Sequence, residues 1–451
     1  MNVESASRTD VGRVRSRNED QLVCVPDLKL FIVADGMGGH QGGDVASRFA
    51  CAAIEEHIRG KWFIVDGYEH EPLPSRRRQV MQLLTEAVRS ANDRIVLESE
   101  QTPELDGMGS TVVVMLMVAD RAFVAHVGDS RAYLLRDGIA TLLTEDHSLL
   151  FELLRQGRLN RAQAARFPMK NVVTRALGVR GPVEADILEL QVLPGDRFVL
   201  CSDGLHGYVE DERLPRLVGD SPLQAVADRL VAFANAGGGS DNISAVVVEV
   251  KSISVEPVIA KAEFQTMRGM ALFQGLSLSE ILHLVSNAEH RRIGQGDSLI
   301  RHGDRPEGLF ILLRGALELR RGAALTQRIE AGSSYGDISL LEDRPSDDSI
   351  VATEVSDVAV VTRRSFEMLC GAAPQTAVRL LRQMSRSLAR RLKIANDEAG
   401  IMRSMLERES VITPLFRTTD VMFTDDAPAD DGLTPTEGLR LMREDSDEKP
   451  D

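Results

Sequence analysis

The sequence predicts an α+β chain of two unlike halves. A layered α+β domain fills residues 1 to about 252, and a small β-barrel or jelly roll follows, closed by a long helix and an acidic tail. Three observations carry this. Through the first half, apolar strand-like runs alternate with stretches of helical periodicity. In the second half, glycines at positions 294, 296, 303, 308, 315, 322, 332 and 336 punctuate short strand-like runs. The chain has 451 residues, 43% of them apolar, enough for two or three domains with cores of their own at roughly 150 residues each.

In chain order, strands are expected at Leu30–Ala34, Thr111–Val118, Arg121–Val127, Arg131–Arg136, Asp196–Cys201 and Ile243–Val250. Helices are expected at Asp44–Ile58, Ser75–Ser99 and Pro222–Ala234. Ala122–Val127 and Ala132–Leu135, joined by Gly128-Asp129-Ser130, read as a hairpin. Asp146–Leu177 is polar and helical between two β regions, which suggests a separate flap. A weak linker with Pro257 lies at 253–263, and a short helix is expected at Ser279–Ser286. The barrel domain is placed at 264–395, the end of the long helix at 396–417 and the tail at 418–451. From Pro374 to Arg408 apolar residues recur at three- or four-residue steps, among them Leu381, Met384, Leu388 and Leu392. That seam suits either packing onto the barrel or a homodimer.

Composition removes several function classes. Net charge is -15, and the tail from Thr418 holds eleven acids against three bases, so it reads as solvated, disordered and unfit for nucleic acid. No apolar run is long enough for a membrane span, and the polar N-terminus does not read as a secretory signal, so a cytoplasmic location is expected. Cys24, Cys51, Cys201 and Cys370 are far apart, without C-x-x-C, and read as buried reduced thiols.

The chemistry starts at "FIVADGMGGHQGGDVAS", residues 31–47. An apolar run ends in Asp35, and glycines surround it. A tight turn is one reading. A dinucleotide loop fails because Gln41 stands where the third glycine belongs, and no phosphate-loop lysine motif occurs. A hard cation bound by Asp35 and the Gly36 carbonyl is the other reading. Four more acids share the context of a strand end beside a small residue. They are Asp20, Asp129, Asp203 and Asp241. Each alone fits an Asx turn. Five carboxylates that converge without cations would repel one another strongly.

These stretches resemble the metal-dependent protein phosphatase family, the protein phosphatase 2C type. "TDVGRVRSRNEDQ", "VADGMGGHQGG", "GMGSTVV", "AHVGDSRAYLLRDG", "LTEDHS", "NVVTRALG", "VLCSDGL" and "GSDNISAVVV" occur in the family's order across residues 1–250. The resemblance implies a four-layer αββα sandwich with metals in a cleft at one end. It implies that Asp35 bridges two Mn²⁺ or Mg²⁺ ions, that the Gly36 carbonyl binds one, and that Asp203 and Asp241 hold the other. It further implies that Asp20 acts through a metal-bound water and that Asp129, with Asp203, takes a third, weaker ion. Arg15 would bind phosphate. A hydroxide shared by the two ions would hydrolyse phosphoserine or phosphothreonine in proteins, opposing a Ser/Thr kinase. Met37 stands where some members have a histidine, as in the bacterial branch, and the general acid is left unassigned. His40, His126 and His147 are not expected to be catalysts. A rival reading, a non-catalytic phosphoprotein-binding regulator, sits badly with a complete ligand set.

From Phe264 the chain resembles a cyclic nucleotide-binding domain, through "GQGDSLIRHGDRPEGLFILLRGALEL" and "YGDISLLEDRP". No helix-turn-helix follows, which argues against a transcription factor. The family's phosphate cassette has a glutamate, then an arginine after proline. Here Asp337 and Ser346 stand in those places, with Asp347 and Asp348 following. A buried phosphate without a cation and beside carboxylates is disfavoured twice, by desolvation and by repulsion. The barrel is therefore expected to serve protein contact or dimerisation rather than gating by a cyclic nucleotide. Calorimetric titration of the full chain with cAMP and cGMP is expected to show no micromolar binding; such binding would restore the nucleotide-gated alternative.

Overall fold

The structure is a computed structural model of the chain. It describes residues 1–38, 42–164, 167–169, 172–179, 181–253, 266–276, 280–281, 284, 288–322, 324–372 and 374–412. His40, most of the expected linker and the expected acidic tail lie outside these residues. Of the expected helix Ser279–Ser286, Glu280, Ile281 and Leu284 are described and are helical. The chain divides into two compact units, Met1–Ser387 and Leu388–Asp451.

The first eleven strands are β1 (Asn2–Asp10), β2 (Asp20–Val25), β3 (Leu30–Met37), β4 (Gly109–Ser110), β5 (Val112–Val118), β6 (Arg121–Val127), β7 (Arg131–Arg136), β8 (Ile139–Leu142), β9 (Asp186–Gln191), β10 (Arg197–Cys201) and β11 (Ile243–Ser252). They form two sheets. One has the order β1-β11-β10-β7-β8, the other β2-β3-β5-β6-β9 with β4 beside β3. The near-continuous apolar runs follow from burial on both faces. In β5, Val113, Met115 and Met117 point into the core between the sheets. Val112, Val114 and Leu116 point outward onto Ala50, Ile54, Leu84 and Val88 of the helices Gly43–Gly60 and Pro74–Gln101. On the other sheet, Val199 and Val247 face Val226 and Leu230 of the helix Leu223–Ala236. Alternation with period two thus builds the expected helix-sheet-sheet-helix stack.

The expected hairpin is absent. β6 and β7 are not a hairpin: β6 pairs with β5 and β9, whereas β7 pairs with β8 and β10 in the other sheet. Both strands are buried almost throughout, so each needs a partner on either side. The turn between them crosses from sheet to sheet. The tight hairpin is the next one, where Asp137 and Gly138 take φ of 54° and 74° between β7 and β8, the backbone that Asp-Gly favours. β1 and β9 carry no strong strand signal because they are edge strands with much of their surface polar or half-exposed. The expected flap contains a pair of short helices, Leu149–Arg155 and Arg161–Ala164.

The second half supplies β12 (Glu289–Ile293), β13 (Ser298–Ile300), β14 (Gly308–Arg314), β15 (Ala316–Arg321), β16 (Ala324–Glu330), β17 (Ser334–Tyr335), β18 (Ser349–Ala352) and β19 (Ser356–Thr362). They form two antiparallel four-stranded sheets, β12-β19-β14-β17 and β13-β18-β15-β16, around Phe310, Leu312, Leu317, Ile350 and Val360. This is the expected jelly-roll type of barrel. The helix Pro374–Ile412 begins with Ala377, Leu380 and Met384 buried in the first unit. Farther along it, Leu392 is 63% exposed and Ile401 57%. All four cysteines are free; Cys51 and Cys201 are buried, Cys24 is half-buried, and Cys370 is exposed, contrary to expectation. Cys370 lies on the open side of the helix Arg363–Ala372, which Phe366 and Leu369 anchor.

At one end of the sandwich, Arg136 and Asp196 form a buried two-pronged pair, Nε to Oδ1 at 2.8 Å and Nη2 to Oδ2 at 2.6 Å. Arg136 Nη2 also donates to the Gln191 carbonyl in the opposite sheet, so the pair joins the two layers. Asp196→Ala is expected to cost about 3–5 kcal/mol, because it strips a buried guanidinium of its carboxylate; urea denaturation measures it.

Candidate metal centre

The register of the strands brings the acids to the other end. Asp20 opens β2 and stands opposite Asp35 near the end of β3. Asp129 lies in the crossing from β6 to β7. Asp203 follows β10, and Asp241 precedes β11, its antiparallel neighbour. Asp35, Asp129, Asp203 and Asp241 line one cleft of about 240 Å³ with Arg15, Glu19, Gly36, Thr111 and Val173. Asp20 sits behind it, 7% exposed. All seven residues singled out in the sequence therefore meet at one end of the sandwich.

Glycine is required at two positions for contact of backbone with backbone. A Cβ on Gly36 would lie 1.9 Å from the Gly43 carbonyl oxygen, and one on Gly43 would lie 2.9 Å from the Gly36 oxygen. The helix Gly43–Gly60 thus starts directly against the end of β3.

Polar residues with no local signal in the sequence hold the acids in place. Thr111 N–H donates to the Asp35 carbonyl at 2.8 Å, and Asp35 N–H donates to Thr111 Oγ1 at 3.2 Å. Thr111 Oγ1 also meets Ser130 Oγ at 2.7 Å, next to Asp129. Ser202 Oγ donates to Asp20 Oδ2 at 2.7 Å. Asn242 secures the loop that carries Arg15: its Nδ2 donates to the Val11 and Arg17 carbonyls, and its Oδ1 accepts from Glu19 N–H. Arg15 itself donates from Nη2 to Asp241 Oδ2 at 2.8 Å, with 48% of its side chain exposed at the cleft mouth. Ser202 and Asn242 adjoin the acids of "SDG" and "SDN". Their partners are remote in sequence, and that hid their roles.

Electrostatics mark the cluster as short of positive charge. Burial raises the Asp35 carboxyl well above its ordinary range, and Asp20, Asp203, Asp129 and Asp241 add to the effect. Burial and Asp203 push Asp129 up to about 7. Burial, then Asp241, raises Asp203. Burial likewise raises Asp20, against the hydrogen bonds from Ser244 and Ser202. Among the described residues, the buried Asp20 Oδ1 and Asp203 Oδ1 have no hydrogen-bond partner. Clustered carboxylate oxygens, two of them unpartnered, together with a carbonyl exposed by glycine, fit a hard divalent cation.

A family model described as Protein phosphatase 2C matches residues 13–246. The chain belongs to the protein phosphatase 2C family. A second family model, Cyclic nucleotide-binding domain, matches residues 290–372. The phosphatase region is 38% identical over 246 residues to "Serine/threonine phosphatase stp" of Listeria monocytogenes serotype 4b (strain F2365), covering 54% of this chain and 94% of that one. The crystal structure of the Mycobacterium tuberculosis serine/threonine phosphatase PstP/Ppp is 35% identical, with a TM-score of 0.50, and covers 56% of this chain and all of that one. A structure of the PstP catalytic domain in complex with two manganese ions is also 35% identical, with a TM-score of 0.48, over 55% of this chain and 99% of that one.

In the cyclic nucleotide-binding region, Ser346 and Asp348 are buried. Asp348 Oδ1 accepts from Arg321 Nε at 2.9 Å, and Tyr335 OH donates to Oδ2 at 3.4 Å. Arg344, the residue best placed in sequence to supply a cation, is exposed.

Raised carboxyl pKa values mean that, in the absence of cations, the folded chain holds protons that the unfolded chain has released. The stability these carboxylates contribute therefore falls as pH rises from about 4 toward 7. A saturating divalent cation is expected to raise the melting temperature by about 5 °C or more at pH 7.5, and by less at pH 5. Thermal melts with chelator and with Mn²⁺ at the two pH values measure this.

Proposed function

We propose that this chain hydrolyses phosphoserine and phosphothreonine in proteins with Mn²⁺ or Mg²⁺, opposing a Ser/Thr kinase. The observation that carries the reading is the convergence of five strand-end carboxylates, with buried oxygens left unpartnered, in the family's own order. Asp35 and the Gly36 carbonyl, with Asp203 and Asp241, would hold two ions. Asp20 would act from behind through water, and Asp129 with Asp203 would take a weaker third. When bound, the ions supply a water of lowered pKa that attacks phosphorus, so that no nucleophilic side chain is needed.

The chain's own residues do the rest. Arg15 stands half-exposed at the mouth, where its planar fork can grip two phosphate oxygens. Asn242 keeps that loop at a fixed distance from Asp241. Ser202 fixes the orientation of Asp20, and Thr111 that of the Asp35 backbone.

In this reading residues 1–252 form the phosphatase domain, 264–395 the regulatory barrel, 396–417 the end of its helix, and 418–451 a solvated tail. The barrel acts through protein contact, with the 374–408 helix as a homodimer seam. The pairing of Asp348 with Arg321, and the exposure of Leu392 on that seam, support this over nucleotide gating.

Turnover of p-nitrophenyl phosphate by the full chain with Mn²⁺ tests the reading, and chelator should abolish it. Asp35→Asn and Asp241→Asn are each expected to lower kcat by more than ~10²-fold. Arg15→Ala should raise KM for a phosphopeptide more than it lowers kcat, with Arg15→Lys restoring it incompletely. Undiminished turnover in both aspartate variants would sink the assignment.

A further inference from the structure

His126, His147 and Asp186 gather beside the cleft with their ligand atoms within 4.8 Å of one another, a spacing that suits a metal. Their hydrogen bonds point elsewhere. Gly128 N–H donates to His147 Nδ1 at 3.1 Å, so that nitrogen carries no proton. The ring proton is therefore on Nε2, which lies 3.2 Å from Asp186 Oδ2 and 3.3 Å from Arg175 Nη1, so the carboxylate is its acceptor. A cation at Nε2 would leave the ring with no proton at all while Nδ1 still accepts from Gly128. Arg175 already holds the same carboxylate, Nη1 to Oδ1 at 2.9 Å.

We propose that His147 is a positioning residue: it seats the Gly128–Asp129 turn, and it ties that turn to the segment bordering the cleft. The first half of this inference rests on the reading of Asp129 as a ligand of the weaker ion. His147 grips Gly128 from both sides, since its own N–H also donates to the Gly128 carbonyl at 3.0 Å. Gly128 has φ of +105°, and a Cβ there would lie 2.6 Å from Thr111, the residue bonded to Asp35. The Asp129 turn is thus clamped between Thr111 and His147. On its other side the His147 carbonyl accepts from Thr174 N–H at 2.8 Å, one residue after Val173 of the cleft wall, and the imidazole reaches the same segment through Asp186, which Arg175 holds. The imidazole stacks on His126 at 4.7 Å and 21°, which fixes its plane. His126 Nε2 in turn donates to the Glu145 carbonyl at 2.8 Å.

Two near-isosteres separate the two halves of this role. In His147→Asn the amide oxygen falls near Nδ1 and still accepts from Gly128, but nothing reaches Asp186. In His147→Gln the amide nitrogen falls near Nε2 and still donates to Asp186, but Gly128 N–H loses its acceptor. Calorimetric titration of the full chain with Mn²⁺ alone is expected to show the weak ion bound about tenfold or more less tightly in His147→Gln, and nearly as in wild type in His147→Asn. Limited trypsin digestion at Arg155 and Arg158 should be faster in His147→Asn and in Asp186→Asn than in His147→Gln. Equal weak-ion affinity in all variants, or loss of that ion in His147→Asn, would overturn the inference and leave the metal reading standing. If Asp129→Asn removes no ion from the wild-type count, the ligand reading falls, and the first half of the inference with it. Should His147→Gln not fold, the Asn variant still decides through its ion affinity and its digestion rate.

Discussion

Carboxylates crowded into one buried cleft repel one another, and everything around them answers that repulsion. In a low-dielectric interior the cost of ionising neighbouring acids together is large: burial first, and then the surrounding acids, raise the Asp35 and Asp129 carboxyls. A flexible scaffold would relax by spreading the acids apart. This one cannot. Asp20, Asp35, Asp203 and Asp241 are rooted at the ends of strands buried between two helical layers, and a close-packed core does not deform to relieve strain at its edge. The sandwich holds the acids at separations they would not choose, and so leaves positive charge as the remedy.

The two ends of the sandwich contrast. At one, Asp196 is met by Arg136 and by the Leu193 N–H, and its polar atoms are satisfied. At the other, oxygens of Asp20 and Asp203 are buried without partners. Proteins seldom leave buried polar atoms unsatisfied for structural reasons. Glu189 and Arg121 also have buried atoms without a hydrogen bond, but they face each other as opposite charges at 3.8 Å. The Arg136–Asp196 pair reads as architecture, and the open oxygens of Asp20 and Asp203, set among other acids, read as chemistry. In the barrel, the pairing of Asp348 with Arg321 belongs to the first kind.

The acids were legible because each interrupts or borders a strongly apolar run, which marks a strand end without help from tertiary structure. The layers were legible because strands covered on both faces are apolar throughout. Three things were hidden for physical reasons. Gly128-Asp129-Ser130 has the chemistry of a tight turn, but local chemistry does not say which sheet the next strand joins. β1 is an edge strand whose partner lies some 240 residues away. His147 looked structural, and its partners Gly128, Thr174 and Asp186 come from three separate stretches of chain that only the fold assembles.

The pairing of β1 with β11 also bears on how the molecule is made. Asn2 lies opposite Ser252, and β11 is the strand that joins β1 to β10. On the ribosome, the first strand must wait for the last before its sheet can close, and contacts of such high sequence separation form slowly. Asp241 emerges just ahead of β11. A nascent chain therefore carries Asp20 and Asp35 long before it can bring them against Asp241, and the crowding that defines the cleft arises only once the rest of the sandwich is there to withstand it.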